Sequence, residues 1–217
     1  MVQAIDTVID LDFGVRGELL PVDHGYGLFG AVCRVLPWLH ADETVGVHTM
    51  CGRLMGNRSL ALTAWSRLSL RLPASRIHEA LPLAGQTLEV DGAAIQVGVP
   101  TVRPLRPAPA VLSRLVVIKG FQDPQAFLEA AQRQADALGL GGRLALVGRS
   151  GDGSLEGSSE RAAGEPIRRT VRVRDKTIVG FALAATELTA EESLRLQEAG
   201  IGGRRRFGCG LFSPLRD

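Results

Sequence analysis

The sequence predicts an α+β fold built from two tandem β-α-β-β-α-β units, and three observations predict it. Alternating and helical apolar patterns follow one another in the order strand, helix, strand, strand, helix, strand, and they do so twice along the 217 residues. A proline-rich stretch, residues 101–110, separates the two runs. A glycine-rich segment, residues 200–210, lies between the last helical pattern and the last strand pattern.

The first run begins with residues 4–17, AIDTVIDLDFGVRG, whose alternation and β-branched side chains predict a strand. Pro21 and Asp23 announce a helix, and HGYGLFGAVCRVLPWL keeps helical apolar spacing until Pro37 ends it. Residues 45–52, VGVHTMCG, predict a short strand. Residues 60–73, LALTAWSRLSLRLP, predict a longer one with Leu62, Ala64, Ser66, Leu68 and Leu70 on one face. SRIHEALPL predicts a short helix. Residues 86–100 read as strand, turn at Asp91 and Gly92, and strand. This is the ferredoxin-like order. Pro100, Pro104, Pro107 and Pro109 make the next stretch extended and stiff, so residues 101–110 are expected to link a domain of residues 1–100 to one of residues 111–217.

The order then repeats. VLSRLVVIKG predicts a strand ending at Gly120. Asp123 and Pro124 start a helix that stops at Gly139, and GRLALVGR predicts the next strand. Residues 150–166 are polar and glycine-rich and are expected to form a mobile insertion. IRRTVRVRDKTIVGFALAATEL predicts one or two strands. TAEESLRLQEAG predicts a helix with Thr189 as cap, acids in its first turn and Gly200 as stop. FGCGLFSPL predicts the final strand.

Composition narrows the function. The net charge is +2 and aromatic residues make up 5%, so aromatic stacking is not expected to be the main ligand-binding device. Of 25 basic residues only Lys119 and Lys176 are lysine; arginine suits bidentate phosphate contacts, though a GC-rich genome explains most of such a bias. Cys33, Cys51 and Cys209 form no CxxC pair, so neither a disulfide framework nor a zinc site is expected. The N-terminus lacks the pattern of a signal peptide, and no apolar run approaches the roughly 20 residues that span a bilayer. A cytoplasmic location is expected.

The segment GIGGRRRFGCG packs Gly200, Gly202, Gly203, Gly208 and Gly210 around Arg204, Arg205 and Arg206. Dinucleotide folds place such a loop before a helix, where amides and dipole favour phosphate. Here it follows a helix, and there is no GxxxxGK[ST] match. Its pattern is G-hydrophobic-G-x5-G-hydrophobic-G, between a helix and a final strand. That motif resembles the RAMP superfamily of CRISPR-associated proteins, and within it the Cas6 family of repeat-RNA endoribonucleases. The run LPVDHGYGLFGAVCRVLPWLH followed by VGVHTMCG is similar to the MYXAN subtype of that family. The resemblance covers most of the chain, with one departure: Cys209 stands where an aromatic is common. The glycines are expected to let backbone N–H groups approach phosphate, and the arginines to add fork-shaped donors. In IRRTVRVRDK, period two puts Arg168, Thr170, Arg172, Arg174 and Lys176 on one face, a stripe spaced for a sugar-phosphate backbone.

The resemblance implies cleavage of precursor CRISPR RNA without metal or cofactor. The 2′-hydroxyl would attack the adjacent phosphate to give a 2′,3′-cyclic phosphate and a 5′-hydroxyl. Histidine suits the proton transfers. His40, just past the first helix, is the first candidate for general base; His24 is second and His48 third. Tyr26, the one tyrosine, is expected either to orient the 2′-hydroxyl or to pack in the core. Arg53 and Arg58 are weaker candidates for phosphate contacts, and His78 is read as a surface or packing residue. The expected partner is CRISPR repeat RNA, with other effector-complex subunits beside it, and no membrane or direct DNA contact. The alternative reading is a RAMP subunit that binds CRISPR RNA without cutting it. A small-anion-binding protein of the same fold is the third, and the length of the basic stripe argues against it.

Overall fold

Ile9, Leu11 and Phe13 are buried and alternate with Asp10 and Asp12, and this period of two makes the first strand the spine of a sheet. The computed structural model describes residues 6–148, 166 and 168–215. The chain divides into two compact units. The first is Met1–Leu105 with Arg205–Gly208, and the second is Arg106–Arg204 with Cys209–Asp217. The expected insertion over residues 150–166 lies outside the described residues except for Pro166.

In the first unit the elements are β1 (Val8–Arg16), β2 (Leu19–Pro21), α1 (Gly25–Val35), β3 (Gly46–Val47), β4 (Arg53–Met55), β5 (Ser59–Ala61), β6 (Arg67–Pro73), α2 (Ile77–Ala80), β7 (Thr87–Val90) and β8 (Ala93–Pro104). An antiparallel sheet has the order β3-β6-β1-β8-β7, and a small sheet has the order β2-β5-β4. Ile9, Leu11 and Phe13 stand opposite Leu72, Leu70 and Leu68. These six side chains are buried, as are Leu28, Phe29, Ala31 and Val32 of α1.

Two expectations change here. The long strand expected over residues 60–73 is two strands belonging to different sheets. Ser66 is buried and its hydroxyl is spent on the main chain, accepting from the Thr63 N–H and donating to the Cys51 carbonyl. That turn removes Leu62 and Ala64 from the expected face. The proline-rich stretch is also not wholly a linker, because residues 101–104 end β8, paired with β1 through Ile9 and Pro104. Beyond Gln96 strand β7 no longer pairs with β8, and an edge lacking a neighbour tolerates proline.

The second unit has β9 (Val111–Val116), α3 (Pro124–Ala137), β10 (Arg143–Leu146), β11 (Arg168–Val173), β12 (Lys176–Thr186), α4 (Ala190–Ala199) and β13 (Ser213–Pro214). Its sheet order is β10-β12-β9-β13, with β11 paired to β12. Asp123 caps α3 by accepting from the Ala126 N–H, and Thr189 and Glu192 form a capping box on α4. Phe127 and Phe181 meet at 4.9 Å in the core. The final strand is shorter than expected. Arg205–Phe207 instead forms a 3-10 turn that belongs to the first unit.

Candidate active site

Pro37 has no N–H to donate and pushes Leu36 out of helical geometry, so α1 ends there. A 3-10 turn, Pro37–His40, follows. Leu39 is buried beneath it, while His40 is exposed at its end. The turn is held from several sides. The Arg76 guanidinium lies 3.9 Å above the Trp38 ring, and the Trp38 indole N–H donates to the Glu79 carbonyl. Asp42 accepts from the Thr44 N–H and hydroxyl and pairs with Arg76. Burial raises the Asp42 pKa, but these bonds outweigh it and hold the carboxyl below its ordinary value.

The His40 ring stacks on Phe29, with centroids 6.0 Å apart and planes 17° from parallel. Phe29 meets Phe207 at 5.2 Å, and Phe207 meets Tyr26 at 5.5 Å. His40 and Tyr26 therefore flank one aromatic cluster. Arg206 closes it: Nη1 donates to the His40 carbonyl at 2.6 Å, Nη2 reaches Glu43 at 3.3 Å, and the guanidinium stands 5.5 Å from the Phe29 ring centre. Gly25 is required there, since a Cβ would come within 2.6 Å of the Phe207 carbonyl.

The other two candidate bases are placed differently. His24 is 1% exposed. Its Nδ1 donates to the Pro21 carbonyl at 2.8 Å and its Nε2 accepts the Met50 N–H at 2.9 Å. One ring nitrogen donates and the other accepts, as a neutral imidazole does, and neither faces solvent. His48 lies 3.3 Å from Asp10 in a charged cluster. Asp10 is buried, bound twice by Arg71 at 2.8 and 2.9 Å and by Arg103 at 3.0 Å. Burial raises the Asp10 pKa, but the His48 and Arg71 hydrogen bonds and charges overcome this and hold it far below the carboxylate range. Burial lowers the His48 pKa, with Asp10 opposing and Arg71 adding to the shift. This cluster was not read from the sequence. Its one signal was a pair of acids alternating with buried apolar residues on a strand.

The three consecutive arginines do not act as one patch. Arg204 is exposed in a left-handed conformation, φ +67°. Arg205 is half-buried, and burial and the Arg71 charge push its pKa down to about 10 against the pull of Asp10. Arg206 holds the His40 turn. The glycines also differ from expectation. The N–H groups of Gly200, Gly202, Gly203, Gly208 and Gly210 donate to Leu196 O, Gln134 Oε1, Val117 O, Arg205 O and Leu115 O. They shape the loop rather than offer amides to phosphate in this conformation. Gly202 shows why: φ is +80° and a Cβ would sit 2.4 Å from the Val117 carbonyl.

The basic stripe is shorter than expected. Arg168, Thr170 and Arg172 are exposed on β11, with Arg168 6.0 Å from the Phe181 ring centre. Arg174 sits in the turn with φ +53°. Lys176 opens β12 opposite Val173, and opposed residues share a face, so it leaves the Arg172 face. Arg53 and Arg58 are exposed on and beside the small sheet, and His78 bonds the Ser75 carbonyl. Among the described residues no group of three or more His, Cys, Asp or Glu is placed to hold a metal ion.

Comparison with known proteins agrees with this architecture. The family model described as Cas6 Crispr matches residues 9–217. A CRISPR-associated endonuclease Cas6 of Myxococcus xanthus (strain DK1622) is 40% identical over 206 residues, covering 95% of this chain and 81% of the relative. A solved CRISPR associated protein Cas6 superposes with TM-score 0.64 at 8% identity, over 96% of this chain and 100% of that one. The product of a Cas6-related gene from Pyrococcus furiosus gives 0.61 at 10% identity, over 97% and 99%. At such identities the likeness is one of fold.

Proposed function

The chain belongs to the Cas6 family, and from that premise we propose that it is an endoribonuclease that cuts CRISPR repeat RNA in the cytoplasm, with His40 as general base. The observation that carries this reading is the His40 turn. Of the three candidate histidines, His40 alone is exposed, and it is held by Phe29 stacking and the Arg206 bond to its carbonyl. A fixed, accessible imidazole is what in-line attack needs. His40 takes the proton of the 2′-hydroxyl, its oxygen attacks phosphorus as the P–O5′ bond breaks, the 5′-oxygen takes a proton from water, and the proton on His40 returns to solvent. The products are a 2′,3′-cyclic phosphate and a 5′-hydroxyl. Tyr26, at the other end of the aromatic cluster, orients the 2′-hydroxyl. Removal of the 2′-hydroxyl proton is assigned to His40, so the nucleophile is made without a metal.

The strand orders β3-β6-β1-β8 and β10-β12-β9-β13 support reading each unit as ferredoxin-like. The first unit carries the cutting residues. In the second, Arg168, Arg172 and Arg174 of the β11–β12 hairpin, with Arg204 of the glycine-rich loop, bind the RNA backbone. Arg206 acts on RNA through the His40 turn.

The test is incubation of the protein with its repeat RNA in EDTA, beside the same RNA carrying a 2′-deoxy substitution at the cut. Only the first is cleaved, and His40→Ala lowers the rate by about 10²–10⁴ with RNA affinity unchanged. Cutting of the deoxy substrate, or undiminished cutting by His40→Ala, overturns the mechanism. Tight binding with no cutting makes the protein a non-catalytic RNA-binding subunit.

A further inference from the structure

Trp65 is 85% exposed, the most exposed large apolar side chain among the described residues. Its turn is nonetheless fixed. The Ser66 N–H donates to the Thr63 carbonyl, the Trp65 N–H donates to Thr63 Oγ1, and the buried Ser66 hydroxyl ties the turn to Cys51. Nη1 of Arg67 donates to the carbonyls of Ala64 and Ser66, both at 2.8 Å, so a guanidinium is held against the main chain on either side of Trp65. The Cys51 end of the tie leads directly to β4, where Arg53 is exposed, and Arg58 is exposed in the following loop. Gly52 makes the approach possible, because a Cβ there would meet the Ala61 carbonyl at 2.3 Å.

Charge says what this platform faces. Between Glu43 and Glu79 the chain has no acidic residue, while Arg53, Arg58, Arg67, Arg71 and Arg76 all lie in that interval. Arg71 and Arg76 are paired with acids outside it. The exposed members, Arg53 and Arg58, border the small sheet and its turn. An exposed indole on a fixed turn, with Arg53, Arg58 and Arg67 in the same stretch of chain and Glu18, whose carbonyl accepts the Leu62 N–H, as the one acid on the neighbouring strand end, fits a base of a polyanion better than an apolar protein face, which would gain nothing from the arginines. Base stacking is indifferent to base identity and needs one aromatic face.

We propose that Trp65 is a stacking platform for an unpaired nucleobase of bound RNA, with Arg53, Arg58 and Arg67 taking the adjoining phosphates. The site rests on the reading of the chain as an RNA-binding Cas6 protein, but it is separate from the His40 turn and does not enter the chemistry. The experiment uses the full chain, a short fluorescein-labelled oligouridylate and the transcribed repeat RNA. Oligouridylate binding by anisotropy falls about 5–150-fold in Trp65→Ala, the range of one lost base stack, and Trp65→Phe keeps most of the affinity. Bound oligouridylate protects tryptophan fluorescence from acrylamide in the wild type and not in Trp65→Phe. Unchanged oligouridylate affinity in Trp65→Ala, with repeat RNA still bound and cut, overturns the platform and leaves the enzyme reading intact. A wild-type protein that binds neither RNA overturns both. If Trp65→Ala alters only the protein's self-association, the indole faces a second copy and the RNA assignment falls.

Discussion

His24→Ala separates a structural imidazole from a catalytic one. In the wild type the ring is 1% exposed, donates to the Pro21 carbonyl and accepts from the Met50 N–H. Met50 is equally buried, so removing the ring strands its amide away from water, which costs about 1–3 kcal/mol. Pro21 is half-buried, so its carbonyl is taken to find water at little cost. The space vacated by the ring adds a cavity term of about 1–2 kcal/mol, the lower end for a large-to-small core change. The total is about 2–5 kcal/mol, or a fall in Tm of about 4–20 °C for a chain of this size. His24→Gln restores an acceptor for the Met50 amide and recovers part of that loss. Thermal melts followed by circular dichroism give the shift. Cleavage measured well below each variant's Tm is expected to stay within a few-fold of wild type. A His24→Ala protein with unchanged Tm and abolished cleavage would falsify the structural assignment and return His24 to the chemistry.

Three further outcomes follow from particular contacts. Asp10→Ala leaves the buried Arg71 guanidinium without its bidentate partner, so urea melts should show a loss of about 3–5 kcal/mol; a loss under about 1 kcal/mol would mean the pair is solvated. The His48 pKa lies below its unfolded value, so the unfolded chain binds that proton more readily, and stability falls as pH drops from about 6.5 toward the folded pKa. His48→Gln should flatten that part of a Tm-against-pH curve, and an unchanged slope rules the group out; Asp10, held far lower, titrates only in stronger acid. Arg168→Ala with Arg172→Ala should reduce the salt dependence of repeat-RNA binding by about 1.4–1.8 in log K against log salt, and an unaltered slope removes β11 from the interface.

Local chemistry determined what local residues could settle. Asp123 and Thr189 cap α3 and α4 as their side chains foretold, Pro37 ends α1, and Gly200 stops α4 with a positive φ of +70°. The spacing of the C-terminal glycines was legible for the same reason and pointed to the family, whereas the small β2-β5-β4 sheet was not. Each legible feature depends on partners within a turn or two of chain.

Tertiary structure decided what distant partners control. Nothing near His24 says that the Met50 amide will take its Nε2, and nothing near Arg206 says that its donors will meet residue 40. Three adjacent arginines looked equivalent because their neighbours in sequence are the same. They separate because one is exposed, one is half-buried under the influence of Arg71 and Asp10, and one holds a carbonyl 166 positions earlier. Lys176 changed face because a hairpin turn at Arg174 and Asp175 reset the period of two, a register set by pairing with β12. Hydrogen-bond and ion-pair partners are chosen by the folded arrangement. The sequence could therefore name candidate residues but not say which were already engaged.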